Sequence, residues 1–180
     1  MKLLIINGSP RKTGRTRLAV KSISEKYSME SIDLSEVVLP LFNGDVSQKQ
    51  DLAVLKLQNA VKSADGIIFA SPEYHGAMSG ALKNALDFLG SEYFANKPVS
   101  LIAVAGGGKG GINALNNMRT TGRSLYANVL PKQIVLDPTD FDYYNQQLVN
   151  DALDNIDRLM TELKMYTDFF LLQEEKEEVQ

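Results

Sequence analysis

The feature that most limits what this chain can become is a short apolar run, Leu3-Leu4-Ile5-Ile6, that empties directly into GSPRKTGRTR, residues 8–17. A continuous run of this kind marks a strand covered on both faces. Residues 14–27 follow with Leu18, Ala19, Ile23 and Tyr27 near helical spacing, so they read as a helix. A strand that opens into a polar loop capped by a helix makes an anion site: the loop amides converge and the helix end adds partial positive charge. Ser9, Thr13 and Thr16 add hydroxyls, while Arg11, Lys12, Arg15 and Arg17 add full charges. That donor density suits a phosphate dianion better than a carboxylate. The plainer reading is a solvated basic loop that caps a helix.

Two named loops can be held against it. A Walker A loop requires G-x-x-x-x-G-K-[ST], whereas five residues separate Gly8 from Gly14, and Arg15 stands where the lysine belongs. The dinucleotide fingerprint G-x-G-x-x-G is absent from this stretch. The strand followed by G-S-x-R instead resembles the phosphate loop of the NADPH-dependent FMN reductase family, whose fold is flavodoxin-like.

Further along, apolar runs alternate with amphipathic segments. Strands are expected at residues 2–7, 29–34, 65–70, 97–105 and 132–136. Helices are expected at 14–27, 48–63, 79–89, 112–126 and 147–172, and an irregular loop at 35–44. Leu52, Leu55, Ala60 and Val61 should mark the inner face of the second helix. Strands alternating with helices call for crossover connections and a parallel sheet, so the expected fold is a three-layer α/β/α sandwich. For five strands the common order is 2-1-3-4-5, with ligands outside the carboxyl ends at the switch between strands 1 and 3. At 180 residues, 44% apolar and 23% charged, residues 1–180 are expected to form one domain, with 173–180 a frayed acidic tail. A net charge of −3 argues against non-specific nucleic-acid binding. The lack of cysteine and the single histidine, His75, argue against thiolate chemistry and a histidine-based zinc site. With no long apolar run, a cytoplasmic protein without membrane attachment is expected.

The loops after the first, third and fourth strands converge at that switch in such a fold. The second of them, SPEYHG, holds Pro72, Glu73, Tyr74, His75 and Gly76. Pro72 stiffens its entry and Gly76 permits a turn that other residues resist, so backbone groups can be presented edge-on to a planar heterocycle, with Tyr74 beside it. Tyr74 as a loop aromatic and His75 as a backbone-bonded histidine are the simpler readings. Glu73 can equally bond a neighbouring backbone group or a partner subunit. The third loop, Gly106-Gly107-Gly108-Lys109-Gly110-Gly111, satisfies G-x-G-x-x-G in form. An acidic residue ~20 positions on is missing from a dinucleotide reading, since Asp137 is farther away. The glycines either bring amides to a ligand edge, aided by the helix starting at Ile112, or form a structural turn.

The stretch from Pro72 to Asp87 makes the resemblance specific. Pro72, Tyr74, His75, Gly76, Gly80, Leu82, Lys83, Asn84, Ala85 and Asp87 are similar to that family's second signature, P-x-Y-(N/H)-x-x-(I/M/P)-x-(G/A)-x-L-K-N-A-x-D. The resemblance covers roughly residues 1–140 and points most to azobenzene (azo dye) and quinone reductases. It implies bound FMN held by Ser9, Arg11, Arg15, Thr16, Pro72, Glu73, Tyr74, His75, Gly76, Gly106, Gly107 and Gly108. It implies ping-pong turnover, in which NADPH gives a hydride and a quinone, an azo compound or free flavin takes the electrons. Lys12 would help neutralise the phosphate, and a spare cation would meet the 2′-phosphate of NADPH. No side chain is needed as catalytic acid, base or nucleophile, and no metal is implied. It also implies a homodimer or homotetramer; the apolar residues of the last helix (Leu159, Met160, Leu163, Phe169, Phe170, Leu171, Leu172), more than one face of a crossover helix requires, either serve such an interface or are ordinary core packing. The rival is a flavodoxin-like electron carrier. Carriers of that kind lack arginines in the phosphate loop and are more acidic than this chain.

Overall fold

The computed structural model describes residues 1–108 and 110–178. Its sheet has five parallel strands, β1 (Leu3–Asn7), β2 (Glu30–Asp33), β3 (Gly66–Tyr74), β5 (Pro98–Val104) and β6 (Asn128–Leu136), in the order β2-β1-β3-β5-β6. This is the expected 2-1-3-4-5 order. An antiparallel β4 (Ala77–Met78) is added to the end of β3. The helices are α1 (Arg15–Tyr27), α2 (Leu52–Ser63), α3 (Gly80–Asp87), α4 (Ile112–Ser124) and α5 (Asn150–Glu178). A small hairpin, β7 (Phe141–Asp142) with β8 (Gln147–Leu148), precedes α5.

The apolar runs of the central strands are continuous because both faces are covered. Leu4 and Ile6 of β1 pack with Leu57 of α2, Leu82 of α3 and Leu115 of α4. Ile5, between them, packs on the other face with Ala19 and Ile23 of α1 and Ile156 and Leu163 of α5. Fully burying each such isoleucine or leucine stabilises the fold by roughly 1.5–3 kcal/mol. The layers are thus α1 and α5 against α2, α3 and α4. Among the described residues no helix is long and apolar enough to cross a membrane.

Several boundaries differ from the sequence reading. Residues 46–50 form a 3-10 turn, and α2 begins only at Leu52, because the Asp51 carboxylate accepts from the amides of Ala53 and Val54. The buried face of α2 is Val54, Leu57, Ala60 and Val61. Leu52 (83% exposed) and Leu55 (37%) lie outside it, so that half of the expected face is corrected. The last sheet strand starts at Asn128 rather than 132. Pro131 and a register shift opposite Val99 and Leu101 hide its first half from any periodicity argument. Arg119 of α4 holds that irregular stretch, donating to the carbonyl of Leu130 (2.9 Å) and to Gln133 Oε1 (2.8 Å). The last helix starts at Asn150 and runs to Glu178, through most of the segment expected to fray; residues 179–180 lie outside the described residues.

Candidate active site

The loop after β1 is held from below by a chain of polar contacts. Asn7, fully buried, donates from Nδ2 to Asp33 Oδ1 (2.7 Å), and its Oδ1 accepts from the Ser9 amide (3.1 Å). Ser9 Oγ then accepts from the Arg11 amide (3.2 Å). Asn7 and Asp33 end neighbouring parallel strands and are register partners, which brings their side chains together. Asp33 is itself braced by the amide and hydroxyl of Ser35 and by Arg17 Nε at 2.9 Å. Arg17 also pairs with Glu36 and donates to the Lys12 carbonyl. Its charge is therefore engaged in bracing the loop. Arg11, Lys12 and Arg15 make no ion pair among the described residues.

Gly8 is where this loop meets the next. Its amide donates to the Ala70 carbonyl (2.7 Å), and a Cβ there would lie 2.8 Å from that oxygen. Ser79 Oγ donates to the Gly8 carbonyl while accepting from the Leu82 amide, so one hydroxyl caps α3 and ties it to the loop after β1. Ser71 Oγ accepts from the Ser79 amide (2.9 Å). These buried hydroxyls lock the carboxyl ends of β1 and β3 together.

The segment expected as a loop at 71–76 is largely strand: β3 continues to Tyr74, and only His75 and Gly76 turn. Both have positive φ (51° and 75°), the two-residue hairpin geometry that needs left-handed residues at each central position. His75 and Gly76 are exposed at its tip. Glu73 bonds the backbone: its Oε2 accepts from the Ala114 amide (2.9 Å) in the first turn of α4. The helix end expected to face a ligand thus already has a carboxylate on it. In the third loop Gly107, Gly108 and Gly111 have positive φ, and Lys109 lies outside the described residues.

A cavity of about 190 Å³ forms where the three loops meet, lined by Ser9, Arg11, Gly14, Arg15, Thr16, Pro72, Glu73, Tyr74, Val104 and Gly106. Eight of the twelve residues singled out from sequence line it, whereas His75, Gly76, Gly107 and Gly108 do not. Lys12 does not line it but lines an adjoining cleft. The structural members that sequence reasoning missed are Asn7 and Asp33. Their signal was a polar residue closing each of two strands that the 2-1-3 order makes neighbours.

At the cavity's rim, α1 begins at Gly14 with no side-chain cap and no acidic residue in its first turn. By contrast Asp51 caps α2, Ser79 caps α3, and Glu73 serves α4. Unengaged first-turn amides, together with two arginines that make no ion pair among the described residues, have the chemistry that suits a phosphate-type anion. A doubly wound sheet with such a site after its first strand defines a flavodoxin-like α/β protein. Known structures agree: the flavoenzyme NAD(P)H:(acceptor) oxidoreductase FerB from Paracoccus denitrificans superposes with a TM-score of 0.74 at 19% identity, covering 94% of this chain and 96% of that one. A flavodoxin from the Archaea superposes at 0.62 and 15% identity, covering 93% and 99%.

The sequence narrows the class. The profile of the NADPH-dependent FMN reductase family matches residues 1–142, and the chain belongs to that family. A NADPH azoreductase from Bacillus sp. (strain OY1-2) is 51% identical over 170 residues, 94% of each chain. An FMN-dependent NADPH-azoreductase from Staphylococcus aureus is 37% identical over 155 residues, 78% of this chain and 79% of that one.

Proposed function

We propose that the protein is an FMN-dependent NADPH oxidoreductase that passes electrons to azo compounds, quinones or free flavin. The observation that carries this reading is the open end of α1, with Arg11 and Arg15 unpaired beside it. The cavity's donors fit a phosphate dianion: Ser9 and Thr16 offer hydroxyls, the first-turn amides of α1 point outward unengaged, and no acidic residue caps the helix. Its volume suits the anionic end of a larger ligand. In this reading Ser9, Arg11, Arg15 and Thr16 hold the FMN phosphate. The backbone of residues 72–74 and 106–108 would border the ring, Tyr74 would lie beside it, and the His75–Gly76 turn would shape the rim.

When bound, FMN supplies the two-electron chemistry that links a hydride donor to its acceptor. The chain's part is to bind, orient and set the electrostatics. Arg11 and Arg15 offset the phosphate charge, and the Asn7–Asp33–Arg17 brace keeps the loop in its binding shape without the ligand. Relatives named as NADPH azoreductases support the choice of donor and acceptor class. The reading puts the enzyme in the cytoplasm, with its NADPH pool. A homodimer or homotetramer is supported by apolar side chains left outside the core, including Phe169 (61% exposed), Leu172 (54%), Val38 and Leu41. Leu159, Met160 and Leu163 of the same helix are instead core.

The test is to add FMN to the purified protein, remove air and add NADPH. Flavin absorbance that stays with the protein, bleaches with NADPH and returns with an azo dye or quinone is the expected result. A protein that does not retain FMN overturns the cofactor reading. Retained absorbance that NADPH cannot bleach overturns the reductase reading in favour of an electron carrier.

A further inference from the structure

On the outer side of the same basic loop lies a larger cavity of about 590 Å³. One wall carries Arg11, Lys12, Arg15, Arg17 and Lys21; Tyr143 and Gln146 of the β7–β8 hairpin line it too. Arg11 and Arg15 line both cavities, whereas Lys12 and Lys21 line the larger and not the smaller; Lys21 also borders a neighbouring cleft with Asp33 and Glu36. Among the described residues no acidic one lines the larger cavity. The nearby Asp142 carboxylate is turned into its own hairpin, accepting from the amides of Tyr144 and Asn145 and from the Asn145 side chain. Among the described residues Lys21 pairs only with Glu25, at 3.8 Å, with both side chains about two-thirds exposed; such a pair barely holds an ammonium.

The hairpin is a built wall. Phe141 and Leu148 are buried in the core that contains α1, anchoring both of its strands. Tyr143, 55% exposed, stacks at a tilt of 32° on the Phe141 ring, with centroids 6.3 Å apart. Gln146 Nε2 donates to the Tyr143 carbonyl (2.6 Å), closing the turn. A half-exposed aromatic ring therefore lines the same cleft as the cationic side chains. That pairing recognises a ligand with a planar ring at one point and an anion at another.

We infer that this cleft receives the adenosine 2′-phosphate end of NADPH, with Lys12 and Lys21 on the phosphate and Tyr143 against the adenine. The inference rests on the reductase reading above, which supplies the donor. It follows from charge: a bound FMN phosphate takes up about two positive charges from the shared arginines, and Lys12 and Lys21 remain on the far side of the loop. A sulfonated aromatic acceptor offers the same chemistry, so the experiment must separate the two.

Calorimetry with adenosine 2′,5′-bisphosphate, and with adenosine 5′-monophosphate beside it, reads the cleft on protein loaded with FMN, whose phosphate then fills the smaller cavity. The bisphosphate should bind about tenfold tighter, the worth of added contacts to two exposed cations. Lys21→Gln should reduce that advantage about threefold and raise KM for NADPH by the same factor, with KM for NADH and the affinity for FMN unchanged. Tyr143→Leu should weaken both adenosine ligands alike. Equal binding of the two adenosine ligands overturns the inference. So does an equal rise of KM for NADPH and NADH in Lys21→Gln, or a sulfonated azo dye that occupies the cleft where the bisphosphate does not. Failure of the reductase reading would be seen separately, in the FMN titration.

Discussion

The N-termini of α1 and α4 both reach the carboxyl edge of the sheet, and the chain treats them in opposite ways. At α4, Gly111 starts the helix with φ 92°, and Glu73 reaches across from β3 to accept from the Ala114 amide. At α1, Gly14 is extended, nothing caps the helix, and Arg15 and Arg17 stand in the first turn. Cations there oppose the helix dipole by roughly 0.3–1 kcal/mol each. Arg17 escapes most of that cost through Asp33 and Glu36; Arg15 has no such partner. The difference teaches which end of the edge is structure and which is site. One helix end is complete within the chain, and the other is left open to an anion such as the proposed phosphate.

Giving α1 the kind of cap that its neighbours have should break the contrast most severely. In Gly14→Asp the new side chain has room, since a Cβ meets only ordinary contacts at 3.6 Å and beyond. The protein without FMN should gain a few tenths of a kcal/mol of stability. Its FMN dissociation constant should rise at least roughly a hundredfold, because a carboxylate now occupies the amides and repels the phosphate. Flavin fluorescence titration and urea denaturation check the two halves. Arg15→Ala should cost less, roughly tenfold to a hundredfold in FMN affinity, with little change in unfolding midpoint.

At the other end, Glu73→Gln keeps an acceptor for Ala114 but removes the negative charge. Stability should fall by less than about 1 kcal/mol. The midpoint potential of the bound flavin should rise by on the order of 10–20 mV, as the positive end of α4 is uncovered. Spectroelectrochemical titration checks this. The smallest effect belongs to the hairpin, away from both helix ends. Hydrogen bonds from the Asn145 amide and side chain hold the Asp142 carboxyl below its ordinary range. A lowered folded value means that this contribution is fully present above the ordinary carboxylate range and is lost as pH falls through the lowered value. The protection of the Asn145 amide, measured against its intrinsic exchange rate, should therefore fall only in acid, and Asp142→Asn should abolish that step.

Much of this edge was legible in the chain because its signals are local. The strand at Leu3–Asn7, the Gly8–Arg17 loop and the helix behind it each announce themselves within a few residues, and alternation then fixed the strand order. What stayed hidden depends on partners far apart in sequence. Glu73 meets Ala114, and Asn7 meets Asp33, only once the sheet is assembled. Arg17 counted as a ligand cation from sequence because its acids lie on the next strand and beyond. The β3–β4 hairpin was hidden because Pro72 and Gly76 read as loop, although Pro72 sits within β3, opposite Val104 of β5. The first half of β6 was masked by Pro131, which the Arg119 contacts accommodate.

The most direct test of the open helix end is the affinity of the protein for FMN against riboflavin, which lacks the phosphate, in wild type and in Gly14→Asp. Wild type should prefer FMN at least roughly a hundredfold. Gly14→Asp should lose that preference while binding riboflavin as before. Equal affinity of wild type for the two flavins, or an FMN preference that survives Gly14→Asp, would contradict it.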